Sequence, residues 1–446
     1  MIRIPKLIGQ KNIVLVFVLL CLLCFGQFLG ISALNLMLTI TIVGISCFAD
    51  LNDLFVIMLS TLPLYNVINY RVGTYSMHYL IVGLFIVKYL LCTKISVYKL
   101  LAFLVLFLLR VFAADFVLLV SWSLLILPLI LTLDDSIWAL NIRRVVFWMN
   151  LSMLLSCVIG YIMMVTHKTI YTTSYLYISG VETVRFAGLT GDSVVFGLTC
   201  VFTIAINLVY CFFNPNHKAF YIVTSIFLTI AGLLSYSKMT LMCTALIVFM
   251  FLILYGKEYA AHGRRLLYSI IFAGILIVLV LALFIFLMNY SGNSALILGY
   301  IDRFTRDDLS TGRFSLWGVY LKKLASQMRY LFVPLTSKEL STPIWNPTTG
   351  GHVAYVHNLY LETVAAFGWC TAILIFVWFL HRLYRFAMSK SKLILSLPVF
   401  VLIFMGFGSH GNFEYQFYLQ LALALAFLQP EMGKMLQRIE DTSTAT

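Results

Sequence analysis

The sequence predicts an all-α polytopic membrane protein, and three observations predict it. Hydrophobic residues fill 62% of the 446 positions and charged residues 11%, with a mean hydropathy of +0.99. Soluble domains run at about half and about a quarter. So few charges cannot cover a soluble protein of this size, and the apolar content excludes disorder. Second, apolar runs tile nearly the whole chain between short polar joints, and ~20 apolar residues is what a helix needs to cross a bilayer. Third, runs such as IVLVFVLLCLLCF and LLYSIIFAGILIVLVLALFIFL do not alternate as β-barrel strands do.

Taken in order, the runs place spans near 13–30, 31–49, 52–68, 78–93, 98–113, 115–133, 145–166, 192–212, 219–236, 239–255, 266–289, 356–380, 393–409 and 416–429, fourteen in all. No small-residue cleavage site follows the first run, which reads as a retained span rather than a signal peptide. An even count puts both termini on one side. Short cytoplasmic joints are rich in Lys and Arg. Placing the N-terminus inside puts the joints that carry Lys94 and Lys99, Arg143 and Arg144, Arg264 and Arg265, and Arg382 through Lys392 in the cytoplasm. Residues 1–289 then carry spans one to eleven, 290–355 form an external loop, and 356–446 carry the last three spans and a cytoplasmic C-terminus. The nine cysteines lie in or at the ends of apolar runs, without metal-ligand spacing, and read as small core residues with no disulfide framework. No internal repeat of the kind found in pseudo-symmetric transporters is evident.

Most of the externally placed basic residues fall in the 290–355 loop, which is far longer than an ordinary connection. Long loops translocate regardless of charge, so these residues do not oppose the assignment. Within the loop, Phe314, Trp317, Leu321, Leu324 and Met328 recur at helical spacing, with Lys322, Lys323 and Arg329 on other faces. This predicts an amphipathic helix that either lies in the membrane interface or packs within an external subdomain. The STPIWNPTTGG stretch after it reads as loop.

The candidate base is His357, at the outer boundary where the next span begins, because a neutral imidazole accepts a proton near neutral pH. Glu362, inside the apolar run, is either functional or the partner of a cation in the bundle. Arg185, in VETVRFAGLTGDSVVFG, Lys238, in LLSYSKMT, and Arg313, in STGRFSLW, project to the same side as His357. Cations gathered at one membrane face suit a phosphate or pyrophosphate group, and Arg can hold it with two parallel bonds.

Together these stretches resemble the O-antigen polymerase/ligase superfamily of bacterial envelope glycan enzymes. RFAGLTGDSVVFG resembles the family's arginine and glycine stretch before a span, and LLSYSKMTL its small-residue stretch with a basic residue. TGRFSLW resembles the start of its external helix, and HNLYLETVAAFGW its His-Asn-x-x-Leu segment. The resemblance covers about 180–380.

It implies a metal-independent, inverting glycosyl transfer on the periplasmic face of the bacterial inner membrane. The donor is a glycan on undecaprenyl pyrophosphate, and no cofactor is used. His357 would be the catalytic base, Arg185, Lys238 and Arg313 the pyrophosphate ligands, and Asn358, Glu362 and Arg306 supporting residues. The expected partners are the lipid-linked oligosaccharide, the bilayer, a chain-length regulator and a flippase, and no nucleic acid. Lysine at 238, where ligases of the family tend to carry arginine, leans the reading toward an O-antigen polymerase. A ligase acting on lipid A–core and a lipid-linked oligosaccharide transporter are the alternatives. A transporter predicts charges along the middle of the bundle, where only Lys88, Arg110, Asp115 and Glu362 are candidates.

Overall fold

The computed structural model describes residues 11–68, 78–111, 116–166, 175–178, 181–213, 218–259, 313–336, 339, 344–346, 351–353, 357–389, 392–408 and 415–436. The helices in chain order are α1 (Lys11–Leu29), α2 (Ser32–Phe48), α3 (Leu51–Ser60), α4 (His78–Cys92), α5 (Val97–Val111), α6 (Phe116–Thr132), α7 (Ser136–Val165), α8 (Ser193–Phe213), α9 (Lys218–Leu233), α10 (Lys238–Tyr259), α11 (Arg313–Ala325), α12 (Leu359–Phe367), α13 (Trp369–Ala387), α14 (Leu397–Met405) and α15 (Tyr415–Phe427). Two antiparallel hairpins join them: β1 (Tyr175–Ile178) with β2 (Val181–Val184), and β3 (Ile344–Asn346) with β4 (Gly351–Val353). Tyr175 pairs with Val184 and Ile344 with Val353. Both hairpins lie between helices in stretches that the apolar pattern reads only as loop, so short strands supplement the helical fold.

Helix α5 shows what surrounds this bundle. Leu100, Leu101, Leu104 and Leu108 on it are exposed, while its fully buried side chain is Arg110. Helix α13 likewise exposes Ile373, Leu374, Val377 and Leu380. In water, apolar burial would turn such helices over; against hydrocarbon the arrangement is the stable one. Among the described residues five helices are long and apolar enough to cross a bilayer: α1, α7, α8, α10 over Lys238–Gly256, and α13. The chain is a helical membrane protein.

Two helices form its posts. Almost every residue of α8 is buried, and α8 packs on α7, α9, α10 and α14. Helix α3 is buried from Asp53 to Ser60 and packs on α1, α4 and α7. Polar groups inside are satisfied across helices. Asn207 of α8 and Asn150 of α7 exchange two hydrogen bonds of 2.8 Å, and Asn207 also donates to Ser225 Oγ of α9 at 3.2 Å. Gln420 of α15 donates to Thr199 Oγ1 of α8 at 3.2 Å.

Polar contacts at the helix ends sort into two sets. At one end Arg144 pairs with Asp53, Asn12 Nδ2 donates to Asp53 at 3.3 Å, and Arg382 Nη1 donates to Asp134 at 2.8 Å. Lys99 Nζ caps the end of α6, donating to the carbonyls of Leu131 and Leu133 at 2.8 and 2.6 Å. At the other end Gln27 Nε2 donates to the Val67 carbonyl at 2.6 Å, and Arg185 Nε to the Ser235 carbonyl at 2.9 Å. Every pair named here joins residues that the sequence places on one side of the membrane.

The elements depart from the expected spans at three places. The span expected at 52–68 stops as an α-helix at Ser60 and continues as a 3-10 turn, Leu62–Leu64, because Pro63 has no N–H to give an α-helical ladder. The span expected from 145 starts at Ser136, where Asp135 accepts from Ile137 N at 2.8 Å; Arg143 and Arg144 lie within α7 rather than ahead of it. The stretch expected as one span at 356–380 is two helices, α12 and α13. They break at Gly368, which has φ +79°, a backbone that a side chain would strain. The backbone of Tyr330 to Phe332 also presses within 3.1–3.3 Å of where a Cβ would stand on Gly368. The span expected at 266–289 lies outside the described residues.

The paired amides of α7 and α8 make a direct test. Asn207→Leu should cost about 1–2 kcal/mol, because it strands the Asn150 amide in an apolar interior. Asn150→Leu combined with Asn207→Leu should recover part of that loss. Thermal unfolding in detergent reads both.

Candidate functional site

The site is assembled on the joint between α9 and α10. Residues 234–238 turn the chain sharply, and Tyr236 sits there with φ +50°. Arg185 leaves the end of β2 and crosses to this joint: Phe186 N donates to the Leu234 carbonyl at 3.0 Å, beside the Arg185–Ser235 bond. Behind it the FAGLTGDS turn is fixed from several directions. Leu189 N donates to Ser156 Oγ of α7 at 2.9 Å, and Asp192 Oδ1 accepts from Val194 N and Val195 N, capping α8. Asn66 Nδ2 donates to the Thr190 carbonyl. A Cβ on Gly197 would stand 2.1 Å from Thr240 Oγ1 and 2.8 Å from Ser235 Oγ, so α8 approaches the joint as closely as only glycine permits.

Lys238 opens α10 and is 8% exposed. A cation at the positive end of a helix dipole is electrostatically unfavourable, and burial adds to the cost. Arg313 lies on α11 and is half-buried. The two are brought together by the end of α14. Arg313 Nη1 donates to the Gly408 carbonyl at 3.3 Å, and a Cβ on Gly408 would lie 3.0 Å from both Arg313 Nη1 and the Met239 side chain. Met239 follows Lys238 directly, so the starts of α10 and α11 meet at Gly408.

Two residues earlier, the Gly406 carbonyl accepts from Leu359 N at 2.7 Å, which seats the start of α12 on the same turn. Asn358 is the N-cap of α12, accepting from Tyr360 N at 3.0 Å and Leu361 N at 3.1 Å. His357 precedes it with φ +52°, a region that side chains rarely occupy. Among the described residues three non-glycine positions have positive φ, and two of them, Tyr236 and His357, lie in this site. Backbone held in such a conformation must be determined by its surroundings.

Of the sequence candidates, Arg185, Lys238, Arg313, His357 and Asn358 are therefore placed on adjoining turns at one end of the bundle. Glu362 is 2% exposed on α12 and faces inward. It acts electrostatically on Tyr320 of α11 and on Tyr418 of α15; Tyr418 also lies in the field of Arg110 and accepts from Trp122 Nε1 at 3.0 Å. Glu362 thus belongs to a buried polar cluster behind the site. Burial, with Glu362 adding to it, pushes the Tyr320 phenol up to about 12. Arg306 lies outside the described residues, as does Asp115.

Two other described loop cations, Arg329 and Lys323, do other work. Arg329 pairs with Glu339 at 2.5 Å, Tyr330 Oη donates to the same carboxylate at 2.8 Å, and Lys323 Nζ donates to the Glu339 carbonyl at 3.0 Å. The buried face of α11 also differs from the expected one. Leu316, Tyr320 and Leu324 are buried, with Leu361 of α12 packed against the first two, while Phe314, Leu321 and Met328 are exposed.

Gly406, Gly408 and Met239 were not singled out from the sequence. The GFG at the end of a span was the available signal, but nothing in one chain says which loops such a turn receives. Compared with known protein families, curated proteins and solved structures, the chain matches none of them.

Asn358→Ala should cost about 1 kcal/mol by removing the cap of α12, and Asn358→Asp should retain most of it; thermal unfolding measures both. Glu339 makes a pH prediction. Burial alone would raise its carboxyl, but hydrogen bonds from Thr336 and Tyr330 and the Arg329 charge hold it below the usual range. The stability it contributes is therefore present above its unfolded value and is lost as pH falls through the lower folded one. Proteolysis of the loop should accelerate over that acid range in the native protein, and Glu339→Gln should remove the acid dependence.

Proposed function

We propose that the chain is a membrane glycosyltransferase that polymerises lipid-pyrophosphate-linked glycan repeat units, of O-antigen or a related surface polysaccharide, outside the inner membrane of a bacterium. One observation carries the reading. The starts of α10, α11 and α12 meet at one turn, bringing Lys238, Arg313 and the strained His357 to the end of the bundle that also holds Arg185. Helix starts favour anions, and cations gathered beside them suit a ligand of high negative charge. A pyrophosphate at the membrane surface is such a ligand.

The chemistry follows from charge. An acceptor sugar hydroxyl attacks the anomeric carbon of the donor, and the bond from that carbon to the pyrophosphate oxygen breaks. The hydroxyl proton passes to the imidazole of His357. The electron pair of the broken bond leaves on the lipid pyrophosphate, where Arg185, Lys238 and Arg313 stabilise it. Attack opposite the leaving group inverts the anomeric centre. Fixed cations supply the leaving-group stabilisation for which metal-dependent sugar transferases use a divalent ion. Asn358 holds the start of α12, and Glu362 anchors that helix from behind.

The finer architecture belongs to the same reading: fourteen spans, both termini in the cytoplasm and the loop of 290–355 in the periplasm. The sorting of polar contacts to two ends of the bundle supports this sidedness. A chain-length regulator and a flippase would be its working partners.

The decisive experiment is purified protein with a lipid-linked repeat unit as the only substrate. A ladder of products is expected. Product only on adding lipid A–core would make it a ligase, and transbilayer movement of the substrate without product would make it a transporter. His357→Ala should reduce turnover by about 10²–10⁴-fold with normal insertion. Arg313→Lys should lose on the order of a hundredfold although charge is kept, because the planar fork is lost. Lys322→Ala should be nearly silent. Equal losses in all three variants would point to misfolding and sink the assignment of roles.

A further inference from the structure

The apolar arc of α11 is wider than the surface it buries. Leu316, Tyr320 and Leu324 form its inner edge, against α12. Phe314 and Leu321, two turns apart on the outer edge, are exposed, Phe314 at 66%. The edge continues past the helix end, where Met328 is 81% and Phe332 65% exposed and Val333 is exposed beside them.

These residues do not stand away from the bundle. Trp369 Nε1, at the start of α13, donates to the Leu324 carbonyl at 3.4 Å, Leu335 N donates to the Ala365 carbonyl at 2.8 Å, and the Phe332 backbone lies against Gly368. The exposed edge therefore abuts the start of α13, whose Ile373, Leu374 and Val377 form part of the lipid-facing surface. The chemistry of the edge is interfacial. Phe314 stacks edge-on with Trp317 at 5.1 Å between centroids, aromatic rings of the kind that settle at headgroup depth. Lys322, exposed next to Leu321, can extend its ammonium to lipid phosphates while its stem stays on apolar surface.

We propose that this edge, Phe314, Leu321, Met328, Phe332 and Val333, is inserted into the headgroup–acyl boundary of the adjacent leaflet, so that the loop is a membrane-seated element rather than a domain standing in water. Phospholipid is its partner: the edge extends a surface that already faces lipid, and its flanking lysine complements anionic headgroups. Nothing in this depends on the glycosyl-transfer reading.

The test uses the full chain in vesicles of phosphatidylethanolamine with a minority of phosphatidylglycerol. Cys21, Cys47, Cys92 and Cys370 are changed to Ser, and Leu321→Cys and Phe332→Cys are introduced one at a time and labelled with an NBD fluorophore. Val333→Cys replaces either variant that fails to reach the native thermal midpoint. The expected result at both positions is blue-shifted NBD emission and loss of fluorescence to lipids carrying a doxyl group near the headgroup. Emission typical of water at either position, or no quenching from lipid at either, overturns the proposal; blue-shifted emission without quenching would mean that protein covers the edge.

Discussion

The turn at the end of α14 is the constraint on which the candidate site depends. Within three residues, the carbonyl of Gly406 holds the start of α12 and that of Gly408 holds the guanidinium at the start of α11. Gly408 also lets Met239 and Arg313 close on the backbone at 3.0 Å from where a Cβ would be. A side chain there would push α10 and α11 apart and separate the charges that they carry. The site is thus a junction of helix starts on one backbone turn, and its electrostatics follow from that packing.

That junction is costly, and the rest of the fold is arranged to hold it. A buried cation, Lys238, stands at the positive start of α10, and two side-chain-bearing residues, Tyr236 and His357, occupy left-handed backbone. None of this would persist on a mobile loop. The α9–α10 joint is clamped by Phe186 and Arg185 on one side and by the close approach of α8 at Gly197 on the other. Helix α12 is capped by Asn358 and carries a buried carboxylate into a cluster with Tyr320, Tyr418 and, across Tyr418, Arg110. The break at Gly368 lets α12 end where α13 must turn into the bilayer. A straight helix could not do both.

The bundle and the loop obey the same solvent logic. Helix α5 buries its arginine and exposes its leucines, and the loop helix α11 divides its apolar arc between α12 and the outside. In each case burial in protein goes to the side chains with specific partners. The remaining apolar surface is left for lipid, where no penalty for exposure exists.

The sequence by itself determined the class of the protein and the position of most helices. These are properties of composition and of local runs, which hydrocarbon thickness and the cost of moving charge across it select directly. It also brought forward Arg185, Lys238, Arg313 and His357, since basic residues beside turn-rich stretches at one face are visible in a linear string. Only the tertiary structure decided that the turns carrying these residues adjoin, that GFG in a later span is where three of them meet, and which edge of α11 is buried. Hydropathy could not foresee the break at Gly368 or the early start of α7, because the first is imposed by the backbone of residues 330–332 and the second by a cap and a partner for Arg144 on α3. Such contacts join positions far apart in the chain, and their energy exists only once the helices have packed.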